Sequence, residues 1–244
     1  MSTYVLLPGF WLGAWAWRSV AADLRDRGHD VHPLSLTGMG ERAHLARPDT
    51  GLDTHVTDVL NLIHYEDLHD VVLVGHSYAG AVVIPSVADQ VPDRISRLVF
   101  VDSGPLPDGM SQAQFAPPDE QARNAELVRT TGDGWQLPPP PWQQLAAEVI
   151  GLPDGTLDRL AQLSTPQPWL TATTPVRLGA AWEKLPRLYV LCSFTVAQLQ
   201  AMIDTMPAFQ HLATDGGSYR ELPGWHWPMF DRSAELAAIL HEGA

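Results

Sequence analysis

The chain has one cysteine, Cys192, in 244 residues, so no disulfide can form within it. Positive charge is also scarce. Fifteen Lys and Arg stand against 28 Asp and Glu, a formal net charge of −13. Phosphate binding needs a basic footprint, so this balance argues against a nucleic-acid partner and an anionic membrane surface. No apolar run is long enough for a membrane span. The first apolar stretch is interrupted by Pro8-Gly9, and no basic segment precedes it as in a signal peptide. A cytoplasmic protein is expected. Glycine-rich phosphate motifs, zinc-ligand spacings and internal repeats are missing. His29 and His32, three apart on a strand pattern, face opposite sides and make a poor metal pair. Neither a cofactor nor a metal is expected. The partner expected is a small-molecule substrate, and a homodimer stays open.

What is present is a β-α-β-α rhythm. Hydrophobic residues make up 45% of the chain, enough for one large α/β domain. Residues 3–7 read as a strand. Trp17, Val20, Ala21 and Leu24 then carry a helical stripe that Gly28 stops. His29 to Leu36 reads as a second strand, and Leu52, Val56, Val59, Leu60 and Ile63 as a second helix. Val71 to Val74 and Leu98 to Val101 are apolar throughout, as strands buried on both faces of a parallel sheet must be. The helix between them contains Pro85, which must strain or kink it. The pattern resumes at Leu188 to Cys192. A helical stretch from Val196 to Thr214, a strand from Ser218 to Leu222 and a helix from Ser233 to Leu240 follow. The expectation is a doubly wound, mostly parallel sheet made of residues 1–103 and 183–244. Residues 104–182, rich in Pro and Trp, read as a cap inserted over the site; an ordinary surface excursion is the alternative.

The run Val71 to Val74 leads into Gly75-His-Ser-Tyr-Ala-Gly and then a helical pattern. A serine on a sharp strand-to-helix turn needs small residues two before and two after it, here Gly75 and Ala79. The turn lifts its hydroxyl above the sheet edge, beside a helix N-terminus that favours negative charge. Serine also serves as a helix N-cap. The paired small residues favour Ser77 as the nucleophile of acyl chemistry.

Several segments extend the pattern: Val5-Leu-Leu-Pro-Gly-Phe-Trp-Leu-Gly-Ala-Trp, Leu36-Thr-Gly-Met-Gly-Glu-Arg, Leu98-Val-Phe-Val-Asp and Gly224-Trp-His-Trp-Pro-Met. In this order, with the serine turn, they resemble the α/β-hydrolase family over nearly the whole chain. The closer likeness is to plant methyl esterases and hydroxynitrile lyases and their bacterial relatives. The resemblance implies the α/β-hydrolase fold with a cap insertion, and implies that His226 is the base for Ser77. It implies an oxyanion hole from the backbone N–H groups of Phe10 and Tyr78. Pro8 stands where many relatives carry a histidine. The family's acid usually follows the strand that here is Leu188 to Cys192, but Ser193-Phe-Thr-Val-Ala-Gln contains no carboxylate. Asp102, at the end of the preceding strand, is the best substitute and keeps the order Ser77, Asp102, His226. Asp102 as a mere cap of the strand-end loop, Asp204, Asp215 and a dyad without an acid remain alternatives. His76 reads as a supporting residue.

Of the nine tryptophans, Trp11, Trp135, Trp142 and Trp227 are candidates to line a flat apolar pocket, with core filling as the other reading. The expected activity is serine hydrolysis of a small aromatic or natural-product carboxylic ester through an acyl-enzyme. The alternatives are a lyase or cyclase using Ser77 and His226 for acid-base work, and a binding-only receptor. Trp227, where a hydroxynitrile lyase has lysine after the histidine, weakens the cyanide version.

Overall fold

Alternate residues of a strand point to opposite faces, so a strand sandwiched between helices must feed two cores at once. The computed structural model, which describes residues 1–145, 152–206, 209, 210, 212 and 216–243, is built on that alternation. In chain order the strands are β1 (Thr3–Leu7), β2 (Asp30–Pro33), β3 (Val71–His76), β4 (Ile95–Val101), β5 (Gln136–Leu137), β6 (Gln167–Pro168), β7 (Arg187–Leu191) and β8 (Ser218–Glu221). Six of them form one sheet in the order β2-β1-β3-β4-β7-β8. Every pairing in it is parallel. Leu7, Leu73, Leu98, Phe100 and Leu191 face one core with residues of the helices Leu52–Tyr65 and Ile84–Gln90. Leu6, Val72, Val74, Val99 and Val190 face the other with residues of the helices Arg18–Asp26 and Ser233–Glu242.

The chain moves outward from β1 to β2, then returns past β1 to β3 and continues the other way. The reversal leaves a crevice at the carboxyl ends of β1 and β3, where open α/β sheets bind ligands. Gly9 and Ser77 follow these two strand ends.

Several elements differ from the sequence expectation. Trp17 ends a 3-10 turn, Ala14–Trp17, that runs into the helix starting at Arg18. Gly28 does follow that helix, with φ of 86°. The second strand stops at Pro33 rather than Leu36. Beyond it the backbone N–H and side chain of Thr37 bond the Asp58 carboxylate at 2.6 and 2.8 Å, drawing the chain away from the sheet. The helix after β7 ends at Thr205; residues 207, 208, 211 and 213–215, including Asp215, lie outside the described residues.

Pro85 stands at the start of an α-helix rather than inside one. Residues Ala79–Val83 form a wider π turn, and Pro85 sits in the first turn of the α-helix that follows. Proline has no N–H for the Ala81 carbonyl, and the N–H of Leu106 takes that place at 2.9 Å.

Between β4 and β7 the described α-helices are Gln112–Phe115, Pro118–Thr130, Trp142–Leu145, Thr156–Leu163 and Trp169–Thr173, all but Pro118–Thr130 short, with β5 and β6 as an antiparallel pair. That pair has no signal in the sequence pattern. No helix among the described residues is long and apolar enough to cross a membrane.

On one face of the sheet, Phe100 stacks on Tyr189 at 4.8 Å, and Tyr189 on Tyr219 at 5.2 Å, tying β4, β7 and β8 together. Phe100 is fully buried. Phe100→Ala is expected to cost about 3–5 kcal/mol of unfolding free energy in urea denaturation.

Candidate active site

Ser77 occupies a left-handed backbone conformation, φ 50°, between β3 and the π turn. A non-glycine residue holds that conformation only if its surroundings impose it. Here the Ser77 N–H donates to Val101 O at 3.1 Å. Its carbonyl accepts from Ser103 Oγ at 2.7 Å and from Ala81 N at 2.9 Å. A Cβ on Gly75 would lie 2.7 Å from Gly80 N, and one on Gly80 would lie 2.7 Å from Ser103 Oγ. The tight approach therefore involves Gly80 as well as Gly75 and the fully buried Ala79.

His226, in the loop between β8 and the last helix, reaches back to this turn. Its Nε2 lies 3.0 Å from Ser77 Oγ, and its Nδ1 lies 2.6 Å from Asp102 Oδ2. A carboxylate only accepts, so Nδ1 carries the proton and Nε2 is free to accept from Ser77. Asp102 also has a left-handed backbone, φ 44°. Its side chain is fully buried. Oδ1 accepts the N–H groups of Cys192 at 2.8 Å and Ser193 at 2.9 Å; Oδ2 also accepts the Ser193 hydroxyl at 2.6 Å. Burial pushes the Asp102 pKa up, but the bonds and charge of His226 and the bonds from Ser193 outweigh it and hold the carboxyl at about 2. Asp204 instead pairs with Gln200 on its own helix, at 2.9 Å.

His76 is buried and donates from Nε2 to the His226 carbonyl at 2.7 Å. Burial, then the neighbouring His226, lowers its pKa to about 3. It is thus a neutral strut under the His226 backbone. The turn after β1 closes the other side: a Cβ on Gly9 would lie 2.9 Å from both His76 Nδ1 and Ser77 Cβ. Next to it, the Phe10 ring packs on Tyr78 at 4.7 Å.

Tyr78 and the Phe10 loop are held by separate polar anchors. His55, fully buried, donates from Nε2 to Thr37 O at 2.9 Å, so its Nδ1 accepts the Tyr78 hydroxyl at 3.0 Å. Burial lowers the His55 pKa to about 4. Trp11, with φ 66°, has its N–H on Gln167 Oε1 at 3.2 Å, its carbonyl on Thr165 N at 2.9 Å and its indole N–H on Leu137 O at 3.2 Å. Gln167 is buried, and its amide donates in turn to Thr171 at 2.8 Å.

The model of a family described as the alpha/beta hydrolase family matches residues 4–239. The chain belongs to that family. A carbendazim-hydrolysing esterase from Nocardioides sp. (strain SG-4G) is 48% identical over a stretch that spans 42% of each chain. Methyl jasmonate esterase 1 from Vitis vinifera is 27% identical over 98% of this chain and 95% of its own. Among solved structures, an extracellular α/β-hydrolase from a Paenibacillus species superposes with a TM-score of 0.81 at 23% identity, covering 99% of this chain and 98% of its own. That protein is described as sharing structural and functional homology with tobacco salicylic acid binding protein 2.

In this α/β hydrolase, Ser77 and His226 face two adjoining cavities. Of the four candidate pocket tryptophans, Trp11 and Trp227 line the larger cavity; Trp135 and Trp142 line neither. Trp142 is 2% exposed and packs edge-on against Trp11, Trp225 and Trp227, so it fills core beneath the cleft. Trp135 sits in the turn leading into β5, where its carbonyl accepts Trp169 N at 2.8 Å. Among the described residues, no group of three or more His, Cys, Asp or Glu is placed to hold a metal.

The sequence reading missed Gly80, Ser103, His55, Ser193 and Gln167. His55 had a readable signal, since it falls on the buried stripe of Leu52, Val56, Val59 and Ile63. Ser193 lies one strand over from Asp102, just past the end of β7.

Both buried histidines titrate at about pH 6.5 when unfolded but stay neutral in the fold down to about 4 (His55) and 3 (His76). Below pH 6.5 the unfolded chain therefore binds more protons, and stability falls as pH falls. The expected loss is about 1.4 kcal/mol per pH unit for each histidine, ending near pH 4 for His55. Urea midpoints between pH 7 and 4 check this, and His55→Asn is expected to flatten the slope by one histidine's share.

Proposed function

We propose that this α/β hydrolase cleaves a carboxylic ester by an acyl-enzyme route, with Ser77 as nucleophile, His226 as base and Asp102 as the acid that orients it. The observation that carries this reading is the unbroken chain from Ser77 Oγ through His226 to Asp102, with bonds of 3.0 and 2.6 Å. Ser77 attacks the ester carbonyl while His226 Nε2 takes its proton, and Asp102 stabilises the imidazolium. The tetrahedral oxyanion is met by the N–H groups of Phe10 and Tyr78. His226 returns the proton to the leaving alcohol as the C–O bond breaks. Water, deprotonated by His226, then attacks the acyl-enzyme; the acid leaves, and Ser77 regains its proton.

The names of the relatives agree in ester cleavage. Phe10, Trp11 and Trp227 beside Ser77 suit an aromatic or natural-product ester. In the same reading residues 104–182 act as the cap, since Gln112, Ala116 and Glu120 wall the cleft above Ser77. A cytoplasmic setting rests on the single, buried free thiol of Cys192. The lyase or cyclase reading drew its weight from the missing carboxylate after β7; a bond from Asp102 to His226 moves that weight to hydrolysis.

Intact-mass analysis after treatment with a small fluorophosphonate tests the assignment. One adduct is expected on the wild type and none on Ser77→Ala, and Asp102→Asn is expected to label roughly 10³–10⁴-fold more slowly. Ester hydrolysis retained by Ser77→Ala would refute it. Gln167→Ala, which frees the Trp11 N–H, is expected to lower kcat about tenfold with little change in KM. That is less than the roughly 10²–10³-fold cost of losing a whole oxyanion donor.

A further inference from the structure

The two cavities at Ser77 are each large enough to take a substituent of their own. One, of about 370 Å³, is walled by Leu106, Tyr189, Leu191, Phe194 and Met202 on the β4–β7 side. The other, of about 630 Å³, is walled by Phe10, Trp11, Leu137, Trp169, Trp227 and the run Pro138 to Pro141. Ser77 and His226 belong to both, together with Gln112, Ala116 and Glu120. The reacting pair thus stands where two chambers join, not at the bottom of one.

The carbonyl carbon of a bound ester must sit at Ser77 Oγ, and its acyl and alkoxy groups leave that carbon in divergent directions. A methoxy group fills a volume on the order of one or two waters, about 30 Å³ each. Small-molecule sites run from about 300 to 1,000 Å³, so either chamber alone is of that size. A methyl ester would leave one chamber to water against mostly apolar walls. We propose that the substrate is an ester with a ring-sized apolar group on each side of the scissile carbonyl, one in the aliphatic and Phe/Tyr chamber and one in the Trp/Pro chamber. This rests on the hydrolase reading above.

Four esters test it: methyl acetate, methyl 1-naphthylacetate, 1-naphthylmethyl acetate and 1-naphthylmethyl 1-naphthylacetate, with rates normalised to hydroxide hydrolysis. The two-sided ester is expected to exceed both one-sided esters in kcat/KM by tenfold or more; a smaller ratio overturns the proposal. Met202→Trp narrows the first chamber and Ala113→Trp the second. Each is expected to cut kcat/KM for the two-sided ester about tenfold, and the two are expected to impair different one-sided esters. If both impair the same one, a single chamber takes all the bulk and the proposal falls. A fluorophosphonate adduct on Ser77 shows that each variant is folded. An adduct and ester turnover without the two-sided preference would sink this proposal and leave the hydrolase reading intact. No adduct and no turnover of any ester would sink both.

Discussion

A fully buried carboxylate is tolerable only when its acceptor positions are filled, and the geometry of this site follows from how Asp102 meets that demand. Its four bonds come from two separate places: two N–H groups and a hydroxyl at Cys192 and Ser193 after β7, and the imidazole N–H of His226 after β8. The Asp102 N–H adds a fifth tie, to Val190 O at 2.7 Å. Withdrawing one donor would leave negative charge uncompensated in a dry place, which costs far more than an ordinary hydrogen bond. The carboxylate therefore holds the carboxyl ends of β4 and β7 and the His226 loop in one arrangement. The orientation of the imidazole toward Ser77 is a by-product of that electrostatic requirement.

Among the described residues, three of the six non-glycine residues with positive φ gather around the same point. Ser77, Asp102 and Trp11 all have left-handed φ values, at 50°, 44° and 66°. Each costs of order 1–3 kcal/mol in isolation, so each needs surroundings that over-determine it. Ser77 is pinned through both its N–H and carbonyl, Asp102 by the sheet edge, and Trp11 by residues 137, 165 and 167. The last case matters because those three residues lie between β4 and β7 in sequence, remote from the β1 loop. The segment above the cleft thus fixes the conformation of the loop carrying Phe10, so it shapes the floor of the site as well as its walls.

How much of this was legible from the chain depends on whether the signal was local. The parallel sheet was, because apolar runs such as Val71 to Val74 have few other uses in a domain of this size. Ser77 and Asp102, read from separate segments, each come within hydrogen-bond distance of His226, read from a third. Strand ends do much of the placing: Ser77 and Asp102 directly follow β3 and β4, and His226 lies in the loop that follows β8. The tryptophans were not legible. Their number suggested a pocket, but only packing decides whether an indole faces a cleft or fills the layer below it, and Trp142 and Trp227 differ in just that way. Gln167 had no local signal, since its partner is 156 positions away. Pro85 looked disruptive because no local pattern shows that the carbonyl it leaves unpaired is satisfied from outside the helix, by Leu106.

The loop Leu36-Thr-Gly-Met-Gly-Glu-Arg touches neither Ser77 nor either cavity, yet its chemistry bears on both. Asp58 gathers the Thr37 N–H, the Thr37 hydroxyl and the Arg42 guanidinium at 2.6–2.8 Å. That cluster aims the Thr37 carbonyl at His55, which obliges His55 to carry its proton on Nε2. Nδ1 is then left as the acceptor for the Tyr78 hydroxyl. Tyr78 is the residue after Ser77, and its ring supports Phe10. A single choice of tautomer, fixed by one backbone carbonyl, therefore sets the position of the element that flanks Ser77. Protonating His55 would remove the acceptor and put a second donor against the Tyr78 hydroxyl. The burial that keeps this histidine neutral is for that reason part of how the turn at Ser77 is held.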